Sequence, residues 1–143
     1  MCRTSSPQVG RLRTLLKNNP IGILYAYHTN QAGIYAKRGD ETGNGRRHGY
    51  LRGWLQTDEN GQYRIDTIRP GTYPTGSEPA HIHVTIKEPD TPEYWIDSIM
   101  FEGDPFLTKR RRQRLEARGG SGIVSLERGD DGVWRGTRDI VLE

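Results

Sequence analysis

The apolar residues of this chain come in short runs, each stopped by glycine, proline or an Asn-Gly or Asp-Gly corner. Ile21 to His28 opens the series, with Ile23, Tyr25 and Tyr27 alternating against Leu24 and Ala26. Tyr50 to Leu55, Tyr63 to Ile68, Ile82 to Ile86, Tyr94 to Phe101, Ile123 to Leu126 and Asp139 to Leu142 follow it. Such runs predict strands. Asp58-Glu59-Asn60-Gly61 predicts a hairpin between the second and third of them, and Gly129-Asp130-Asp131-Gly132 predicts another. With 18 glycines and 8 prolines in 143 residues, turns are frequent, and the pattern points to an all-β sandwich or barrel of one domain.

Hydrophobic residues make up 32% and charged residues 27%. That is polar for a globular chain, so the core is small or completed by a partner subunit. The balance of 21 basic and 18 acidic residues is too mild to imply nucleic acid. The single cysteine, Cys2, excludes an internal disulfide framework. No apolar run reaches membrane-spanning length and no signal-peptide core follows Met1, so a cytoplasmic protein without membrane partners is expected. Residues 1–10 are polar and expected to be ill-ordered. Leu12 to Leu16 suits a helical turn or a poor strand equally. The glycine-rich, charged stretch Lys37 to Gly49 reads as a flexible surface loop, a composition that functional loops over active sites share. The basic run Lys109 to Arg114 reads as a short helical, solvated face with Leu107 and Leu115 inward, or else as a site for an acidic partner or anion.

His81-Ile82-His83 carries the most chemistry. On a strand, residues two apart share a face. Both imidazoles then point the same way, close to Tyr73, which is set between Gly71 and Pro74. Two imidazoles and a phenol suit a metal ion; a His-x-His pair on a strand is otherwise polar surface.

Six motifs carry a resemblance. They are Gln31-Ala32-Gly33-Ile34-Tyr35, Arg52-Gly53, Thr57 to Tyr63, Thr67-Ile68-Arg69-Pro70-Gly71-Thr72-Tyr73-Pro74, Pro79-Ala80-His81-Ile82-His83 and Phe101-Glu102-Gly103-Asp104-Pro105. In this order and spacing, over about residues 21–108, the chain resembles the intradiol ring-cleavage dioxygenases. The resemblance implies a single-domain β-sandwich holding one Fe(III), with Tyr35, Tyr73, His81 and His83 as ligands. It implies cleavage of a catechol by O2 to a muconate-type diacid. Tyr73 would leave the metal and take up a substrate proton. Phenolate is a hard, strong donor, which suits ferric over ferrous iron. Among the other tyrosines, Tyr25 and Tyr27 are expected in a core strand and Tyr63 in a hairpin. His28 and His48 are expected at a strand end and in a loop.

Two departures stand out. Relatives carry arginine three residues before the first ligand histidine, where this chain has Glu78; a carboxylate edging the pocket would repel an anionic substrate. Ser98 stands nearest to a family glutamine. Arg46, Arg47, Arg52 or Arg69 are the candidates for restoring positive charge. The chain before Tyr35 is short for the family, which implies an open sandwich edge and a homo-oligomer. Two other readings are a non-catalytic β-sandwich module with a vestigial metal site, and a zinc or copper domain using His81 and His83 alone.

Overall fold

The computed structural model describes residues 5–14 and 22–142. Cys2, Leu16 and Ile21 lie outside them. The elements, in chain order, are β1 (Ser5–Thr14), β2 (Ile23–Tyr27), α1 (Gly45–His48), β3 (Arg52–Gln56), β4 (Gln62–Ile68), β5 (His81–Lys87), β6 (Tyr94–Trp95), β7 (Ile99–Phe101), α2 (Lys109–Arg112), β8 (Ile123–Val124), β9 (Glu127–Arg128), β10 (Trp134–Arg135) and β11 (Asp139–Leu142).

Two sheets form the sandwich. The smaller has the order β11-β1-β4; the larger runs β3-β2-β5-β7-β8, with β6 also paired to β5. Alternation decides what lies between them. Leu24, Ala26, Ile82, Val84 and Ile86 of the larger sheet face inward and pack with Tyr63, Ile65, Ile140 and Leu142 of the smaller. The opposite parity on β2 and β5, which holds Tyr25, Tyr27, His81 and His83, therefore turns away from the core.

Four expectations are corrected. Ser5 to Gly10 belong to a strand paired antiparallel to β4, and Arg11 to Thr14 continue it parallel to β11. Backbone pairing to one neighbour and then the other sustains the strand whatever its polarity. Asn60-Gly61 makes a tight turn, with the Asp58 carboxylate accepting from the amides of Asn60 at 2.9 Å and Gln62 at 2.8 Å. It does not make a hairpin, because β3 pairs with β2 and β4 pairs with β1. The turn passes the chain from one sheet to the other. The loop Lys37 to Gly49 contains the single turn α1, closed by Gly49 at φ 69°.

The fourth correction concerns Tyr94 to Phe101, which is two strands. β6 pairs Thr85 with Trp95, and β7 pairs Ile82 with Ile99. Between those pairs His83 and Val84 stand opposite Ile96, Asp97 and Ser98, one residue more. This is a bulge in the antiparallel pairing. The second expected hairpin is formed, by β9 and β10. No helix among the described residues is long and apolar enough to cross a membrane.

Candidate metal centre

His81 and His83 leave β5 on its outer face. Their Nε2 atoms lie 3.0 Å apart, and Tyr73 Oη sits 3.2 Å from each. Tyr35 Oη lies 2.6 Å from Tyr73 Oη. Four side chains from three segments thus bring their donor atoms to one point, with the Tyr73 oxygen touching the other three.

The loops that carry the tyrosines are locked backbone to backbone. The Gly71 amide donates to the Asn30 carbonyl at 2.8 Å, and the Thr29 hydroxyl donates to the Gly71 carbonyl at 3.0 Å. A Cβ on Gly71 would lie 2.1 Å from the Gln31 oxygen, and one on Gly33 would lie 1.8 Å from the Thr72 oxygen. Only glycine permits that approach. The motifs Gln31 to Tyr35 and Arg69 to Tyr73 therefore fit each other directly. The Asn30 side chain rounds off the first loop, accepting from the amides of Ala32 and Ile34 at 3.0 Å.

His81 is oriented from behind. Its Nδ1 donates to the Pro79 carbonyl at 2.7 Å, which leaves the Nε2 lone pair free toward the cluster. Ala80, between them, is held by Asp104. The Asp104 carboxyl is 7% exposed and accepts from the Ala80 amide at 3.0 Å and from the Phe106 amide at 2.9 Å.

The donor set fits a cation. Burial pushes the Tyr35 hydroxyl far above its ordinary value, and the hydrogen bond to Tyr73 adds to the shift. Burial, then His81 and His48, brings His83 down to about 3. Both groups are thus held neutral by desolvation, and no positive side chain is bonded to the four donor atoms among the described residues. A cation reverses that penalty, because it favours phenolate and needs neutral imidazole. Contacts of 2.6–3.2 Å suit donors gathered around one ion at about 2 Å. A group of three or more His, Cys, Asp or Glu side chains that could hold a metal is absent among the described residues.

An aromatic wall adjoins the cluster. Tyr27 is buried in the core strand β2, as expected, with its ring on the outer face of the sheet. Its ring stacks on His83 at 4.6 Å and on His48 at 3.6 Å, nearly parallel. Burial, then Tyr73 and Tyr25, pushes Tyr27 up to about 12. His48 reaches the wall from α1, and its Nδ1 lies 2.7 Å from Tyr25 Oη. His28 stands at the strand end as expected, bonded to the Thr67 hydroxyl at 2.7 Å and apart from the cluster.

Glu78 pairs with a residue from outside the expected set. Arg111 Nη1 lies 2.9 Å from its carboxylate, and Arg111 Nη2 donates to the Ser77 carbonyl at 2.9 Å. Arg52 instead reaches the Gly49 carbonyl, and Arg69 lies over the Phe101 ring. Arg112 pairs with Glu102. The run Lys109 to Arg114 is therefore partly spent on ion pairs and not simply a solvated face. Its first turn is capped by the Thr108 hydroxyl, which accepts from the Arg111 amide at 3.3 Å. Tyr27, His48, Asp104 and Arg111 had no assigned part in the sequence reading. Only Asp104 lay in a motif, and the others meet the site through tertiary packing.

The protocatechuate 3,4-dioxygenase beta chain of Burkholderia cepacia is 31% identical over 91 residues, covering 59% of this chain. The match spans 39% of that relative's length. The dioxygenase domain of a dioxygenase carbohydrate-binding protein fusion from Streptomyces sp. SirexAA-E superposes with a TM-score of 0.70 at 23% identity, over 98% of this chain and 80% of that one. The intradiol ring-cleavage dioxygenase of Tetranychus urticae gives 0.68 at 18% identity, over 98% and 81%. These two establish the fold as that of intradiol dioxygenase domains. The family model described as Dioxygenase matches residues 16–118, well over half of the chain, and the chain belongs to the intradiol ring-cleavage dioxygenase family.

Proposed function

We propose that this protein opens a catecholic ring with O2, cleaving between the two hydroxyl-bearing carbons to give a muconate-type diacid. In this reading Tyr35, Tyr73, His81 and His83 hold one Fe(III). The observation that carries the reading is the contact of Tyr73 Oη with all three other donor atoms. A ferric ion bound there supplies Lewis acidity to a catecholate and makes its ring reactive toward O2. The chain's own part is to position, exclude water and move a proton. Tyr73 is half-buried and central, so its oxygen is the base within reach of a substrate hydroxyl. Tyr35, with its hydroxyl 2.6 Å from Tyr73 Oη and its ring 6.0 Å from that of Tyr27, is the tyrosine that remains in place. His81 is fixed by Pro79, and His83 by its stack on Tyr27. Glu78 borders the approach with its charge paired to Arg111.

The reading also takes residues 1–143 as one domain that works as a homo-oligomer, covering the edge strands β3 and β4. Sedimentation as a stable monomer at micromolar concentration would remove that part. The metal is tested by elemental analysis with a visible spectrum. Iron near one per chain and a tyrosinate-to-iron band are expected. Tyr73→Phe should shift the band and slow substrate deprotonation, while Tyr63→Phe should leave it alone, since Tyr63 donates to the Arg138 carbonyl at 2.9 Å in the core. A colourless protein that takes up zinc and no ferric iron would refute the assignment.

A further inference from the structure

The outer face of the larger sheet carries rings where a solvent-facing sheet ordinarily carries polar side chains. Trp54 on β3 is the cross-strand partner of Tyr25 on β2, Tyr25 of Thr85 on β5, and Thr85 of Trp95 on β6. This row shares the face of His81 and His83. Trp54 and Trp95 remain 56% and 50% exposed. Both are nevertheless held. Trp54 stacks on Tyr25 at 4.5 Å, with the Arg52 guanidinium 5.5 Å from its ring. Trp95 stands edge-on to His83 at 5.8 Å and to Tyr27 at 6.0 Å.

The bulge puts Trp95 there. Met100 faces His81, and Trp95 lies five residues before it. An odd separation in a regular strand would send the two to opposite faces. The extra residue among Ile96, Asp97 and Ser98 restores the parity, so Trp95 faces the donor cluster and not the core. A half-exposed indole, oriented by its neighbours and touching a ligand histidine, offers a flat apolar surface at small entropic cost.

We propose that the Trp95 ring is a second subsite, and that the substrate class is a catechol bearing a further neutral aryl ring. Trp54, across three strand spacings of about 4.8 Å each, marks the far end of the same strip. The extension is neutral because the strip has no net sign: the Arg52 guanidinium lies beside Trp54, and Thr85 donates its hydroxyl to the Glu93 carboxylate. The inference rests on the catechol reading above.

Calorimetric titration of the iron-loaded protein without O2, using catechol and 4-phenylcatechol, tests it. Wild type should bind 4-phenylcatechol threefold to tenfold more tightly, the range of one aromatic pair. Trp95→Ala should bring the ratio of the two dissociation constants to about one, and Trp95→Phe should keep most of the preference. Equal binding by wild type, or a preference that survives Trp95→Ala, overturns the subsite and leaves the catechol reading standing. Failure to bind either compound overturns both. Sedimentation of the same samples covers the remaining occupant. If Trp95→Ala turns an oligomer into a monomer, the ring belongs to an interface between copies and the proposal falls.

Discussion

The buried carboxyl of Asp104 holds the backbone amide of Ala80 at 3.0 Å, one residue before His81. Its other oxygen accepts from the Phe106 amide at 2.9 Å. The end of β7 is thereby tied to the start of β5, and the turn that orients His81 cannot drift. Asp104→Asn leaves one amide facing an NH2 group, donor against donor, whichever way the side chain is turned. The expected cost is about 1–3 kcal/mol, read from urea unfolding, together with weaker iron retention. An unchanged unfolding midpoint would show that the tie is dispensable.

Gly71, with Gly33, is one of two points where the tyrosine loops approach backbone to backbone. Alanine there places a methyl against the Gln31 carbonyl, and nothing flexible can yield. Gly71→Ala should destabilise by about 1–3 kcal/mol and weaken the tyrosinate band, since Tyr35 and Tyr73 are pushed apart. Gly53→Ala is the control, because a Cβ there meets nothing within 4 Å. Equal effects in the two variants would argue against interlocked loops.

Arg111 pairs with Glu78 at 2.9 Å, and the pairing should blunt any effect of that carboxylate on specificity. An unpaired carboxylate near the pocket would oppose a carboxylated catechol by about 4 kcal/mol at 4 Å and an effective dielectric near 20. Paired at 2.9 Å and partly exposed, most of that field is cancelled and screened. Glu78→Gln should therefore shift the kcat/KM ratio of protocatechuate to catechol by less than tenfold. Arg111→Gln uncovers the charge and should move the ratio against protocatechuate. A ratio unmoved by either change would place the pair out of the substrate's reach.

Acid should weaken the fold of the iron-free protein in a defined window. Burial lowers His28, against a weaker upward pull from its bond to the Thr29 carbonyl. Burial also lowers His48 and His83. Each is held below its unfolded value of about 6.5, so below that pH the unfolded chain binds more protons. Stability is full above about pH 6.5 and is lost as pH falls through it toward the depressed folded values. Urea titrations at a series of pH values should show this decline, with a shallower slope in His28→Gln. A stability that rises on acidification would contradict it.

Local chemistry determined much of this protein. Parity along Ile82-His83-Val84 dictates that the imidazoles oppose the core, because alternation admits no other arrangement once Ile82 and Val84 are buried. The strand-forming runs are legible for the same reason, since each depends on a residue and its near neighbours, whereas Gly33 and Gly71 are required by contact between two loops far apart in sequence. The Asn60-Gly61 corner was legible as a turn and illegible as a junction between sheets, since partner choice is set by distant strands. Arg111 meets Glu78 across 33 positions of sequence, and His48 meets Tyr27 only because α1 folds over the sheet. The bulge opposite His83 is likewise a matter of register between β5 and its partners. No local pattern encodes it, and it is what turns Trp95 toward the site.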